Sequence, residues 1–283
     1  MKTKGKARPP RVTMIRAVAP DARKLVDEIC SPGWTDKSRT LKIEGCSSVL
    51  VGTAGGREVV VKVTVASGIL ASLRRLLGLT RGLRQLHGAE LLRSRGIAVA
   101  MPLAVWRVRD ADGVAECLVM EREQGRTLID AASSRPTPLS VPEQHRLAFA
   151  AGQLVAAMCK AGVRNRDLKM SNVIVRPASP DSASGWELVQ IDTVGVRDDA
   201  SFDQAPEMLF RMLVECIGLG CVPRRALLRR AVAGALSALP REASRARAGQ
   251  LWRQVEAIAQ RHGDALPKVD PRSPAPQPEK PLS

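Results

Sequence analysis

Between residues 41 and 65, in LKIEGCSSVLVGTAGGREVVVKVTV, apolar and β-branched residues gather in three short runs divided by turn residues. Residues 41–44 lead into Gly45 and the serines Ser47 and Ser48; residues 49–53 follow; the sequence AGGR then turns the chain into residues 58–65. Runs of this composition predict strands, and a Gly-Gly pair between two of them predicts a hairpin. Together they make an antiparallel meander with Lys62 inside its third strand.

From residue 69 the apolar spacing changes to three and four. Ile69, Leu70, Leu73, Leu76 and Leu77, then Leu83, Leu86 and Glu90, predict helix over 69–95. Leu86 and Glu90 lie four apart on one face, so Glu90 points where that helix packs. After Gly96, residues 98–108 and 115–121 read as two more strands. Ser140-Val141-Pro142-Glu143 is a capping-box pattern that opens a helix running to Ala161, with Gly162 as its stop. The stretch VRNRDLKMSNVIV (163–175) comes next and ends in a strand at 173–175. A loop and a strand over 186–192 follow, and helices fill 204–217, 223–239 and 242–262. A first half of strands plus one helix and a second half mostly of helices put the chain in the α+β class. Residues 1–19 read as a disordered basic arm and 264–283 as a disordered Pro-rich tail.

Charge narrows the partners. Forty-four Lys and Arg stand against 28 Asp and Glu, a net charge of +16, which favours phosphorylated lipid or sugar, a membrane surface, or nucleic acid. Nucleic-acid binding by stacking needs aromatic platforms, and the chain has no tyrosine, three phenylalanines and four tryptophans, which argues against that partner. No apolar run reaches membrane-span length, and the basic N-terminus lacks the apolar core of a secretory signal. Six cysteines without CxxC spacing read as buried free thiols of a cytoplasmic protein rather than a disulfide or zinc framework.

The candidate chemistry lies in the order of five charged or amide positions. Phosphoryl transfer needs a lysine on the nucleotide phosphates, a carboxylate fixing that lysine, hard oxygen ligands for magnesium, and a carboxylate that orients the attacking hydroxyl. Lys62 on a strand, Glu90 on the next helix, Asp167 in a loop, Asn172 five residues on and Asp192 at a strand end supply these parts in a workable order. The segment CLVMERE (117–123) would connect two lobes, where main-chain groups of Glu121 and Glu123 meet an adenine. Singly, each position also reads as a solvated charge or a turn residue.

VVVK, Glu90, RDLKMSN and IDTVG together resemble the protein-kinase-like superfamily. GCSSVLVGTAGGREVVVKV, with a short serine-bearing loop for a glycine-rich one, and AELLRSRGIAVAMPLAV are similar to the bacterial lipopolysaccharide kinases that phosphorylate Kdo or heptose. The resemblance covers roughly residues 38–220. It implies a bilobal fold, with an N-terminal lobe over 20–123 and a C-terminal helical lobe over 124–263, and it implies ATP and Mg2+ as cofactors. Gly45, Ser47 and Ser48 would form the phosphate loop, Lys62 would contact the α- and β-phosphates, and Glu90 would hold it. Asp167 would be the catalytic base, Lys169 would offset γ-phosphate charge, and Asn172 and Asp192 would ligate magnesium. The acceptor would be a sugar hydroxyl on an anionic glycolipid, met by a cytoplasmic enzyme in peripheral contact with the inner membrane surface.

Three departures keep other readings open. Asn165 stands where kinases carry histidine, Thr193-Val194 replaces Phe-Gly, and the phosphate loop has one glycine at its head. A small-molecule phosphotransferase of the aminoglycoside or choline type shares the catalytic loop, and a pseudokinase module tolerates all three departures. The basic segment ILASLRRLLGLTRGLRQL (69–86) reads equally as a core-facing helix with a wet arginine face or as a docking element for anionic lipid. Arg224, Arg225, Arg229 and Arg230 carry the same ambiguity.

Overall fold

The runs read at 41–65 are strands of a six-stranded antiparallel sheet. A computed structural model describes residues 11–65, 68–109, 113–133, 139–178, 184–218 and 224–262. The chain divides into two units. The first comprises residues up to Ser94, Val99–Gln124 and Asp192–Gly195; the second comprises Arg95–Ala98, Gly125–Ile191 and Val196 onward.

In chain order the first unit holds β1 (Arg11–Ala17), α1 (Ala22–Ile29), α2 (Trp34–Lys37), β2 (Arg39–Glu44), β3 (Ser47–Ala54) and β4 (Arg57–Val65). Then come α3 (Ile69–Leu76), α4 (Arg81–Ser94), β5 (Pro102–Arg109) and β6 (Val114–Glu121). The strands are ordered β1-β5-β6-β4-β3-β2, which puts β4, the lysine strand, inside the sheet. Gly55 and Gly56, at φ 59° and 73°, form the two-residue turn between β3 and β4. Only residues without a Cβ adopt two such angles in succession at little cost. Successive side chains of a strand face opposite ways. Val59 and Val61 therefore pack with Leu25, Val26 and Trp106 on one face, and Lys62 points to the other, where α4 buries Leu86, Ala89 and Leu92.

Three features differ from the sequence reading. Strand β1 occupies residues assigned to a disordered arm: Arg11 pairs with Arg109 and Ala17 with Ala104, and Met14 packs against the core. The arm's basic residues mask this short edge strand, whose partner is remote in sequence. Residues 1–10 and the tail 264–283 lie outside the described residues. The helix expected over 69–95 is two, interrupted by Leu77–Thr80, and α3 buries none of its residues. Helix α1, with Ala22, Leu25, Val26 and Ile29 buried, was not anticipated although its spacing is helical.

The second unit runs through β7 (Arg126–Thr127), α5 (Leu128–Ala132), α6 (Val141–Lys160), β8 (Arg164–Asn165) and a 3-10 turn at Met170–Asn172. It continues with β9 (Val173–Pro177), β10 (Trp186–Gln190), β11 (Val196–Arg197), α7 (Ala205–Gly218), α8 (Arg225–Leu236) and α9 (Arg241–His262). Helix α6 starts where the capping box placed it: the Glu143 carboxylate accepts the Ser140 N–H at 2.8 Å and also its hydroxyl. Those bonds hold Glu143 below the usual carboxylate range. Helices α6 and α8 touch backbone to backbone. A Cβ on Gly152 would fall 1.9 Å from the Ala231 carbonyl oxygen, and one on Gly234 would fall 2.1 Å from that of Phe149.

Two of the arginines singled out on α8 lie over aromatic rings, Arg229 on Trp252 and Arg230 on Phe149 at 5.7 and 4.8 Å from the centroids. That packing accounts for them without a ligand. An apolar cavity of about 350 Å3 opens in this unit, lined by Leu128, Leu147, Met170, Leu209, Met212 and Leu228 among others. Cys117, Cys159 and Cys216 are buried free thiols as expected, whereas Cys30 and Cys46 are exposed. Cys30 follows the last turn of α1 and Cys46 sits at a hairpin turn, positions the sheet core does not cover. Cys221 lies outside the described residues. No described helix is long and apolar enough to cross a membrane.

Candidate active site

In the sheet unit, Lys62 is held between an amide and a carboxylate. Its Nζ lies 3.2 Å from Gln85 Oε1 and 3.6 Å from Asp192 Oδ2. The side chains of Lys62 and Asp192 retain 20% and 11% of their exposure, so this pair is screened less than a surface ion pair. Arg81 at the start of α4 adds a second cation 3.7 Å from Asp192 Oδ2, and the Val194 N–H donates to Asp192 Oδ1 at 3.2 Å.

The expected partner of Lys62 was Glu90, and the structure puts Gln85 there instead. Five residues separate the two, a rotation of about 140° around a helix. They cannot both face the sheet lysine. Gln85 is buried and Glu90 forms no ion pair among the described residues. Charge made Glu90 conspicuous in the sequence, whereas a glutamine carried no comparable signal.

Helix α4 is fixed at both ends of this contact. The buried Glu116 of β6 accepts the Gly82 N–H at 2.8 Å, a carboxylate at the positive end of the helix, and also meets Arg107 at 3.4 Å. Further along, Thr193 donates its hydroxyl to the Gln85 carbonyl at 2.5 Å, and Arg84 donates to the Val194 carbonyl at 3.0 Å. Gly88 permits this approach, since a Cβ there would lie 2.1 Å from the Thr193 carbonyl oxygen. Thr193-Val194, a departure from the kinase pattern in sequence, thus ties the Asp192 segment to the helix that carries Gln85.

The phosphate-loop residues form a tighter turn than a wrapping loop. Gly45 (φ 56°) and Cys46 alone connect β2 to β3. Ser47 and Ser48 already belong to β3, where the Ser47 hydroxyl lies 3.4 Å from that of Thr64. At the end of β6 the Glu121 N–H is committed to the Met101 carbonyl at 3.0 Å, and its carboxylate faces Arg57 at 3.5 Å. Glu123 follows in the segment joining the units.

In the helical unit, RDLKMSN forms one hydrogen-bonded loop. Lys169 Nζ pairs with Asp167 Oδ1 at 2.9 Å, and Asn172 Nδ2 donates to the Asp167 carbonyl at 3.0 Å, with Asp167 Oδ2 3.5 Å away. The Asp167 carboxylate stays part exposed. Asn165 supports the loop from below. Its Oδ1 accepts the Asp167 N–H at 3.0 Å, and its Nδ2 donates to Gln190 Oε1 at 2.9 Å. Asn165 and Gln190 are both fully buried; one bond joins the two amides, and Gln190 Nε2 donates to Met158 Sδ at 3.4 Å. Gln190 went unremarked in the sequence, because a polar residue in a strand looks ordinary until its partner is known. The Ile191 N–H donates to the Asn172 carbonyl at 2.9 Å, and the Ser171 N–H to Glu215 at 2.8 Å.

Each unit by itself offers hard oxygen donors of the kind that suit Mg2+. In the helical unit Asn172 spends its Nδ2 on Asp167 and keeps its Oδ1, and in the sheet unit Asp192 offers a carboxylate.

A sheet with a strand lysine held from a packed helix, followed by a helical unit with an Asp-x-Lys-x-x-Asn loop at Asp167, Lys169 and Asn172, defines a protein-kinase-like fold. A solved structure, that of WaaP, has a similar fold. WaaP in complex with acyl carrier protein is 20% identical at a TM-score of 0.56, over 88% of this chain and 99% of that one. The BubR1 kinase domain is 12% identical at 0.44, over 80% of each chain. No family model matches the chain, and no curated protein does. The protein has a protein-kinase-like fold resembling that of WaaP.

Proposed function

We propose that the protein is an ATP- and Mg2+-dependent kinase that transfers the γ-phosphoryl group to a sugar hydroxyl of a lipid-linked glycan, such as the lipopolysaccharide inner core. The observation that carries this reading is the Asp167 loop. A part-exposed carboxylate is paired with Lys169, bonded by Asn172 and held from beneath by a buried amide pair. A loop that served only as a turn would have no need of that buried support.

In this reading Asp167 accepts the proton of the acceptor hydroxyl as its oxygen bonds to the γ-phosphorus and the bond to the β-phosphate oxygen breaks, releasing ADP. Lys169 offsets the charge of the transferred group. Lys62 holds the α- and β-phosphates, with Gln85 as its positioning residue and Asp192 as its counter-charge. Mg2+, when bound through Asn172 and Asp192, neutralises phosphate charge. The two-residue turn at Gly45 offers few backbone amides to the phosphates, so these cations carry more of the nucleotide's charge than a glycine-rich loop would leave them. The glycan as acceptor rests on the resemblance and on the +16 charge, which suits an anionic glycolipid.

Radiolabelled ATP transfer into a membrane lipid extract tests the reading, with Asp167→Asn beside it. The expected result is transfer by the wild type and none by the variant, with the stabilisation by ATP and magnesium kept in both. Equal transfer by Asp167→Asn overturns the assignment of the base, and preference for soluble acceptors moves the protein to the aminoglycoside or choline type. The tight Gly45 turn is the one feature that favours a nucleotide-binding module without transfer. Stabilisation by nucleotide with no labelled product from any extract would establish that reading.

A further inference from the structure

Helix α3 is an amphipathic helix with no core to serve. None of its residues is buried, and Ile69, Leu70, Leu73 and Leu76 are 88%, 72%, 49% and 84% exposed. At 100° per residue these four and Leu77 occupy about a third of the helix circumference, one continuous apolar stripe. Of the two sequence readings of this segment, the core-facing one is excluded for 69–77 and holds only for α4. An exposed stripe of this size on a helix marks an interaction surface.

The charge around the stripe selects its partner. Residues 59–89 contain no carboxylate; of their cations Arg74 and Arg75 lie on α3, while Lys62, Arg81 and Arg84 are engaged at Asp192 and Val194. On the helix wheel Arg74 borders the stripe, and Arg75 lies on the opposite side, donating to Ser72 at 2.9 Å. Exposed Ile43 and Val65 lie at the same end of the sheet, where the Val65 N–H donates to the Cys46 carbonyl at 2.8 Å. The α3 stripe therefore leaves the sheet at the end that carries the Gly45–Ser48 turn.

We propose that α3 is a docking helix for an anionic lipid surface, with its leucines in the acyl boundary and its arginines among the headgroup phosphates. An apolar stripe alone would suit any apolar partner. Arginines on α3 itself and no carboxylate over 59–89, with Glu44 at the same end paired to Lys42 at 2.9 Å, on a chain of net charge +16, repel a second copy and attract a polyanionic sheet of phosphates. The inference deepens the kinase reading by naming the surface on which a lipid-linked acceptor is met, and it rests on that reading only for this purpose.

The test is co-sedimentation of the full chain with vesicles of equimolar phosphatidylcholine and phosphatidylglycerol, beside vesicles of phosphatidylcholine alone. The expected result is binding to the anionic vesicles only, weakened by salt. Leu73→Glu with Leu76→Glu lowers it at least about tenfold, and Arg74→Gln lowers it about fivefold. All these side chains are exposed, so circular dichroism and melting temperature stay as in the wild type. Asp167→Asn binds vesicles like the wild type, which separates docking from transfer: absence of transfer by the wild type, with its vesicle binding intact, counts against the kinase reading alone. Equal binding to both vesicle types, no binding to either, or indifference to the leucine substitutions overturns the docking helix. A dimer that the same leucine substitutions dissolve would overturn it too, assigning the stripe to a second copy of the chain.

Discussion

Lys62 Nζ lies 3.2 Å from the amide oxygen of Gln85, a neutral acceptor, and the counter-charge of the lysine comes from Asp192. The Gln85 amide orients the ammonium while Asp192 balances its charge, so α4 holds the lysine without a carboxylate of its own. Removal of the acceptor by Gln85→Ala is expected to lower kcat/KM for ATP about tenfold, the size of one hydrogen bond to a charged group. Gln85→Glu retains most of the activity, because a carboxylate keeps the acceptor oxygen. Glu90→Gln should leave both stability and kinetics near wild type; a large loss there would reinstate Glu90 as the partner of the lysine.

Asn165 and Gln190 share one buried bond, and Asn165 also accepts the Asp167 N–H. Asn165→Ala leaves two buried polar groups without partners, at a cost of about 1–3 kcal/mol for each. Gln190→Ala should cost a similar amount, and the double variant less than the sum, because both remove the same bond. Urea denaturation of the three variants measures this, and simple additivity would show that the pair does not act as a unit.

Gly88 lies so close to Thr193 that a methyl group has no room. Gly88→Ala must displace either α4 or the Asp192–Gly195 segment, an overpacking cost of about 1–3 kcal/mol. The melting temperature falls, and the stabilisation by ATP with magnesium falls with it because Asp192 moves. A variant of normal stability with normal nucleotide response would count against the contact.

Burial pushes the Cys117 thiol up to about 12, helped by Cys30 and Glu116, and the Cys159 thiol up to about 11, helped by Asp203. Below the ordinary value of 9.0 both thiols are protonated whether the chain is folded or not, and no stability is lost. Above it the unfolded chain releases protons that the folded one keeps, so stability declines as pH rises from 9.0 toward the folded values. Denaturation at about pH 8 and about pH 10 reads the decline, and Cys117→Ala flattens it. A thiol reagent at neutral pH is expected to label the exposed Cys30 and Cys46 first and Cys117 only on unfolding.

What was legible in the sequence is what local chemistry dictates. The Gly55-Gly56 hairpin, the Ser140 capping box and the spacing of Asp167, Lys169 and Asn172 are each decided within a few residues. The misses involve partners remote in the chain. Strand β1 is ordered by β5 near residue 109, Gln190 matters because Asn165 faces it, and Thr193 because Gly88 admits it. The lysine's partner was misread for a related reason: charge drew attention to Glu90, and only the packing of β4 against α4 shows that Gln85 meets Lys62.

The bonds from Thr193 to the Gln85 carbonyl and from Arg84 to the Val194 carbonyl, closed over Gly88, make the Asp192–Gly195 segment and α4 one body. Neither leaves without carrying the other, so a displacement at Asp192 reaches Lys62 twice, through the ion pair and through Gln85.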